Sequence, residues 1–136
     1  MFMLDTNICI YVINERDRVL LERFEAEAGD ICISAITWAE LCYGVEHSVQ
    51  RRRNVRELKE FRRNLDIVPF DTAAGGHYGV IRQALVRHGR PITANDMLIA
   101  AHARSMSATL VTNDEGHFRR VPGLKVENWL FGQGAR

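Results

Sequence analysis

Apolar positions along the chain follow two different rhythms. Short apolar runs at 2–4, 31–33, 67–68, 109–111 and 124–126 have strand length and break at polar or glycine-containing segments. Between them the spacing is helical. A short helix is expected over 6–13, and Val19, Leu20, Phe24 and Ala28 mark another within 17–28. Ser34 is placed to cap a helix through about 45. Val55, Leu58, Phe61 and Leu65 line one face of a helix that begins at 51. Asp71 opens a long helix to about 88, which Gly89 closes, and a further helix runs over about 95–105. Thr112, Asn113 and Asp114 read as a turn. Strands alternating with helices predict an α/β fold, a central, mainly parallel sheet flanked by helices on both faces.

Composition narrows this picture. With 136 residues, 46% hydrophobic and 26% charged, the chain suits one compact domain, expected over 1–131 with a frayed tail at 132–136. A multidomain enzyme and a long disordered region are excluded. No apolar run approaches the roughly 20 residues of a membrane helix, and the start lacks a signal-peptide pattern. Cys9, Cys32 and Cys42 lie in apolar segments without metal spacing, so they read as reduced core thiols in a cytoplasmic protein. The net charge of +1 names no partner, but residues 51–63 hold seven basic and two acidic side chains, a local +5. That segment reads either as a solvated helix face or as a surface that steers nucleic acid.

Candidate chemistry lies in the acids. In open parallel sheets, sites form beyond the carboxyl ends of the strands. Asp5 follows the first strand, Asp114 follows the fourth by three residues, and Asp96 opens the helix before that strand. Each also reads as a local structural residue: Asp5 as an N-cap, Asp96 as part of a capping box with Thr93, Asp114 as a turn residue. Glu40 is different. It falls nearly two turns inside its helix among Ile36, Trp38, Ala39, Leu41, Cys42 and Tyr43, where a carboxylate needs a partner or a metal. Four carboxylates converging on one sheet edge repel each other, and a hard divalent cation relieves them. Such a site serves phosphodiester hydrolysis.

The order and spacing of these residues resemble a known family. Residues 3–7 (MLDTN) with Ile10, then Ile33 and Ser34 with Glu40, Leu41 and Gly44, are similar to the first half of a PIN domain. Pro91 and Ile92, residues 96–103 (DMLIAAHA) and residues 110–114 (LVTND) are similar to its second half. The whole chain resembles the VapC ribonuclease toxins of toxin–antitoxin modules. That resemblance implies a PIN-like fold and an Mg2+-dependent endoribonuclease, with Mn2+ as a substitute, that cuts structured RNA such as tRNA. It also implies a homodimer, neutralised by a VapB-type antitoxin in a larger assembly. Asp5, Glu40 and Asp96 match the core acids, and Asp114, or Asn113 beside it, matches the more variable fourth position. Thr6, Asn7, Thr112 and Asn113 are the expected supporting residues, Asn7 as the group orienting Asp5.

The sequence departs from the family in one place. Many relatives carry an acid just before the Phe of this region, and here His117 stands there. Arg51, Arg52, Arg53, Arg56, Arg82 and Arg90 are candidate RNA contacts, with Arg87 nearby. Gly75, Gly76 and Gly79 fail phosphate-loop spacing and suggest close helix packing instead, within the chain or at a dimer interface. Two other classes remain in view. A silent PIN domain used for protein binding would lack one of the acids, and an aspartyl-nucleophile phosphatase would want an Asp where Asn7 stands.

Overall fold

The computed structural model describes residues 1–130, so the tail expected at 132–136 lies outside the described residues. Five strands form one sheet: β1 (Phe2–Leu4), β2 (Ile31–Ser34), β3 (Asp66–Val68), β4 (Thr109–Val111) and β5 (Lys125–Glu127). All four pairings are parallel, in the order β3-β2-β1-β4-β5. The connections are α1 (Thr6–Ile13), α2 (Arg18–Ala26), α3 (Ala35–His47), α4 (Arg51–Arg62), α5 (Thr72–Arg87), α6 (Ala94–Ser105) and α7 (Glu115–Phe118).

Strand alternation explains why the central strands β1, β2 and β4 are largely apolar on both faces, whereas the edge strands β3 and β5 carry Asp66, Lys125 and Glu127. Met3, Cys32 and Leu110 point into one core with Ile81, Leu85, Met97, Ala100 and Phe118, from α5, α6 and α7. Leu4, Ile33 and Val111 point into a second core with Ile8, Leu20, Leu41, Leu58 and Phe61, from α1 to α4. A parallel sheet covered on both faces calls for near-continuous apolar runs in its central strands.

Caps fix the helix starts where polar residues stand. Asp5, Asp17, Ser34, Asp71 and Thr93 each accept a backbone N–H of the helix they precede. Gly89 ends α5 at φ +65°, a left-handed conformation that suits glycine.

Three sequence expectations change. The last strand lies one residue later than 124–126. The turn at Asp114 continues into the one-turn helix α7. Gly75, Gly76 and Gly79 do not mediate close packing within the chain: a Cβ at any of them would meet nothing within 4 Å.

Candidate active site

From β1 the chain builds β2 and β3 on one side, then crosses to build β4 and β5 on the other. The topological switch therefore lies between β1 and β4, where the two loops diverge and leave a crevice. Leu4 pairs with Val111, so the register brings Asp5 and Thr112 together as the next residues of the two strands.

Asp5 is buried, 5% exposed, and continues the ladder by donating its N–H to Val111 O at 3.0 Å. Its Oδ1 accepts the Ile8 N–H at 2.9 Å. It is thus both the cap of α1 and a member of the acidic group. Burial pushes its pKa up from 3.8 to about 6; hydrogen bonds from Thr112 and Ile8 pull against this, and the charges of Asp96 and Asp114 add to it. Thr112 is fully buried and also accepts the Asp114 N–H at 2.9 Å, so one hydroxyl ties two acids from different strands.

Glu40 enters from α3. Thr6 donates to its Oε1, and Asn95 at the start of α6 donates to Oε2 at 3.2 Å. The apolar neighbours that made Glu40 conspicuous are less buried than their sequence suggests. Of α3 only Thr37 and Leu41 are buried, and Tyr43 is 69% exposed. Glu40 also borders a 210 Å³ cavity lined by Ile10, Ile13, Leu41, Val45 and Asn54.

Asp96 lies in the first turn of α6, where Thr93 caps the helix through the Asp96 N–H at 3.2 Å. Its pKa is raised, by burial first; Thr93 and His117 oppose the shift, and Glu40 and Asp114 reinforce it. Mutual electrostatic effects therefore link Asp5, Glu40, Asp96 and Asp114 in one field.

Other expected residues fall differently. Asn7 is exposed and makes no hydrogen bond among the described residues; Thr112 and the Ile8 N–H orient Asp5 in its place. The Asn113 amide nitrogen lies 3.4 Å from the Tyr11 hydroxyl, and its Oδ1 is buried without a hydrogen-bond partner among the described residues. Arg51 and Arg53 are engaged by Glu46 and Glu57, both at 2.8 Å, and Arg82 by the Tyr78 hydroxyl at 2.7 Å. Arg52, Arg56 and Arg90 are exposed without a partner among the described residues. His102 is buried in the core against Ser34 Oγ at 2.8 Å, which leaves it no place in the crevice.

One member of the site, Asn95, had no sequence argument behind it. Asn95 holds Glu40, and its adjacency to Asp96 was the available signal. His117 sits among the acids, its Nδ1 2.8 Å from Asp114 and 3.8 Å from Asp96. Its nearness to Asp114 in sequence is the signal for that place, beside its departure from the family directly before Phe118.

The donor set suits a hard divalent cation. It consists of carboxylates, and Asp5 is buried at an unfavourable cost to its charge. Among the described residues no three His, Cys, Asp or Glu side chains close into a cage for an ion. A magnesium-like ion keeps several waters and takes one or two carboxylates, donors of the kind these acids offer.

Known proteins resemble this chain in sequence and in fold. The family profile described as PIN domain matches residues 2–124. The chain is 44% identical to the tRNA(fMet)-specific endonuclease VapC of Shigella flexneri, over 94% of this chain and 97% of the relative. It is also 44% identical to ribonuclease VapC2 of Haemophilus influenzae, over 95% and 98%. Among solved structures, VapBC2 from Rickettsia felis, bound to a DNA fragment from its promoter, superposes with a TM-score of 0.90 at 42% identity, over 94% and 98% of the two chains. DNA-bound VapBC from Salmonella typhimurium gives 0.91 at 41%, over 94% and 97%.

Proposed function

The chain belongs to the PIN-domain family, among its VapC ribonucleases, and from that premise we propose that it is the toxin of a toxin–antitoxin module that cuts a structured RNA, initiator tRNA foremost. The single observation that carries the catalytic part is the convergence of Asp5, Glu40, Asp96 and Asp114 at the β1/β4 switch point, with Asp5 held near a pKa of about 6.

PIN-domain nucleases are generally dependent on a divalent metal; for this chain the reading is Mg2+, replaceable by Mn2+. Asp5 and Asp96 would hold it, with Glu40 and Asp114 directly or through water. When bound, such a cation neutralises phosphate charge and makes water a better nucleophile.

The chain's own groups do the positioning. Thr112 and the Ile8 N–H fix the Asp5 carboxylate, and Thr6 and Asn95 fix both oxygens of Glu40. Held in this way, Glu40 is the acid assigned to take the proton from the attacking water. Thr112 holds Asp5 and Asp114 in register, so the acids need little rearrangement when RNA arrives.

The same reading includes a homodimer; it also includes a VapB-type antitoxin, in keeping with the VapBC complexes of Rickettsia felis and Salmonella typhimurium. The apolar cavity beside Glu40 suits the antitoxin segment that would cover the active-site groove. A cytoplasmic location belongs to this reading, and no helix among the described residues is long and apolar enough to cross a membrane.

The substrate is tested by incubating the purified protein, with Mg2+ or Mn2+, with initiator and elongator methionine tRNAs. Preferential cutting of the initiator species supports the proposal, and equal cutting of both removes the substrate assignment. Cleavage of neither, or of any other structured RNA, favours a binding module instead.

Arg52 and Arg56 carry the electrostatic part of the proposal, because they are the exposed arginines of α4's first turns that are not held by a neighbouring acid. Replacing both by Ala is expected to weaken tRNA binding uniformly and to reduce the slope of log K against log salt by about 2. An unchanged slope would return α4 to a plain solvated face.

A further inference from the structure

His117 grips both oxygens of one acid. Its backbone N–H donates to Asp114 Oδ1 at 3.3 Å, and its ring Nδ1 lies 2.8 Å from Asp114 Oδ2. A carboxylate can only accept, so Nδ1 carries the hydrogen of this bond. The backbone contact is what any N-cap offers its helix. The ring contact is additional, and it reaches beyond Asp114: the same Nδ1 is 3.8 Å from Asp96 Oδ2.

Geometry gives that contact a purpose. The Asp114 side chain is 53% exposed and would otherwise be free to turn into solvent. The His117 ring is itself anchored, 25% exposed and tilted against Phe118, whose ring is buried in the core. A partly buried imidazole, braced by the core residue Phe118, thereby orients an exposed carboxylate. From Asp114 the connection continues through its N–H to Thr112, and from Thr112 to Asp5. One imidazole nitrogen thus lies between acids contributed by α6 and by the segment after β4.

We propose that His117 is a positioning residue of the cation site: through Nδ1 it locks the Asp114 carboxylate and sets its separation from Asp96. The inference rests on the metal-dependent reading above. It concerns how tightly the cation is held rather than the chemical step, since groups that orient the ligands of a metal typically change its affinity about 10–100-fold.

The test uses the full-length protein and Mn2+, with binding followed by electron paramagnetic resonance of the free ion. Three variants separate the roles. His117→Asn places its amide nitrogen near the position of Nδ1, His117→Gln places it near Nε2, and His117→Ala supplies neither. Ala and Gln are expected to weaken Mn2+ binding about 10–100-fold, while Asn stays within about threefold of wild type. Saturating Mn2+ should restore cleavage by the Ala variant, because the defect is in affinity.

Undiminished binding by His117→Ala, or equal losses in Asn and Gln, would overturn the proposal. If Ala fails to fold, as judged by melting in EDTA, the Asn–Gln comparison still decides. Wild-type protein that binds no Mn2+ would overturn the metal-dependent reading itself, an outcome distinct from failure of His117's role.

Discussion

Asp5→Asn is expected to abolish RNA cleavage and, in the same protein, to raise the melting temperature measured in EDTA. Few residues can be replaced with gain in one property and loss in the other, and the reason here is burial. The Asp5 carboxylate is 5% exposed, and its pKa is raised from 3.8 to about 6. Its folded form binds a proton more tightly than the unfolded chain does. Stability is therefore lost as pH rises from about 4 through about 6, and the full penalty persists at neutral pH. The shift corresponds to roughly 3 kcal/mol.

Asparagine removes the charge but keeps an oxygen to accept the Ile8 N–H, so the cap of α1 survives. Allowing for weakened bonding to Thr112, the gain at pH 7.5 should be about 5 to 10 °C, and it should vanish near pH 4. Cleavage should fall by at least about a thousandfold, to below detection in the assay, the loss expected when several kcal/mol of charge stabilisation disappear from the transition state. Differential scanning calorimetry and a gel-based RNA assay read the two effects. A variant that melts lower than wild type at neutral pH in EDTA would mean that Asp5 serves the fold alone.

The second large effect is a pH-dependent stabilisation by the cation. A ligand that binds only the folded state at about 100 times its Kd adds about 2.7 kcal/mol. Binding at Asp5 competes with the proton, so below about pH 6 the apparent affinity should drop, approaching tenfold for each further unit. A fixed excess of Mn2+ should therefore raise the melting temperature strongly at pH 7.5, weakly at pH 5, and hardly at all in Asp5→Asn. The sign is opposite to that of the metal-free protein, which is more stable at the lower pH as far as Asp5 is concerned. A Mn2+ shift of equal size at both pH values would place the cation away from Asp5.

Much of this site was legible because local rules and function coincide. Asp5 ends an apolar strand and starts a helix, and Asp96 sits in a helix's first turn, so the boundaries of β1, α1 and α6 located them. Glu40 was conspicuous because a carboxylate deep in an apolar helix requires a partner, and Thr6 and Asn95 supply one.

Long-range pairing was not legible. Nothing in residues 109–111 says that β4 lies beside β1 rather than β3, yet that crossover brings Thr112 to Asp5. Helix α7 spans four residues, one of them Gly116, and is too short for any periodicity to reveal. Its formation turns His117 back onto Asp114 and converts an apparent loss of an acid into a clamp on another. The arginine segment shows a local rule at work: Arg53 and Glu57 are four residues apart, the spacing of an ion pair on one helix face, and the structure pairs them at 2.8 Å.

The central claim is that the acids at the β1/β4 edge form one divalent-cation site that hydrolyses RNA. It is tested most directly by following cleavage of purified initiator tRNA by wild type and Asp5→Asn, each with Mn2+, with Mn2+ plus excess EDTA, and after the cation is restored. The predicted result is cleavage by wild type that stops on chelation and returns on restoration, with none by Asp5→Asn under any condition. Cleavage that persists in EDTA, or that Asp5→Asn retains, would contradict the account.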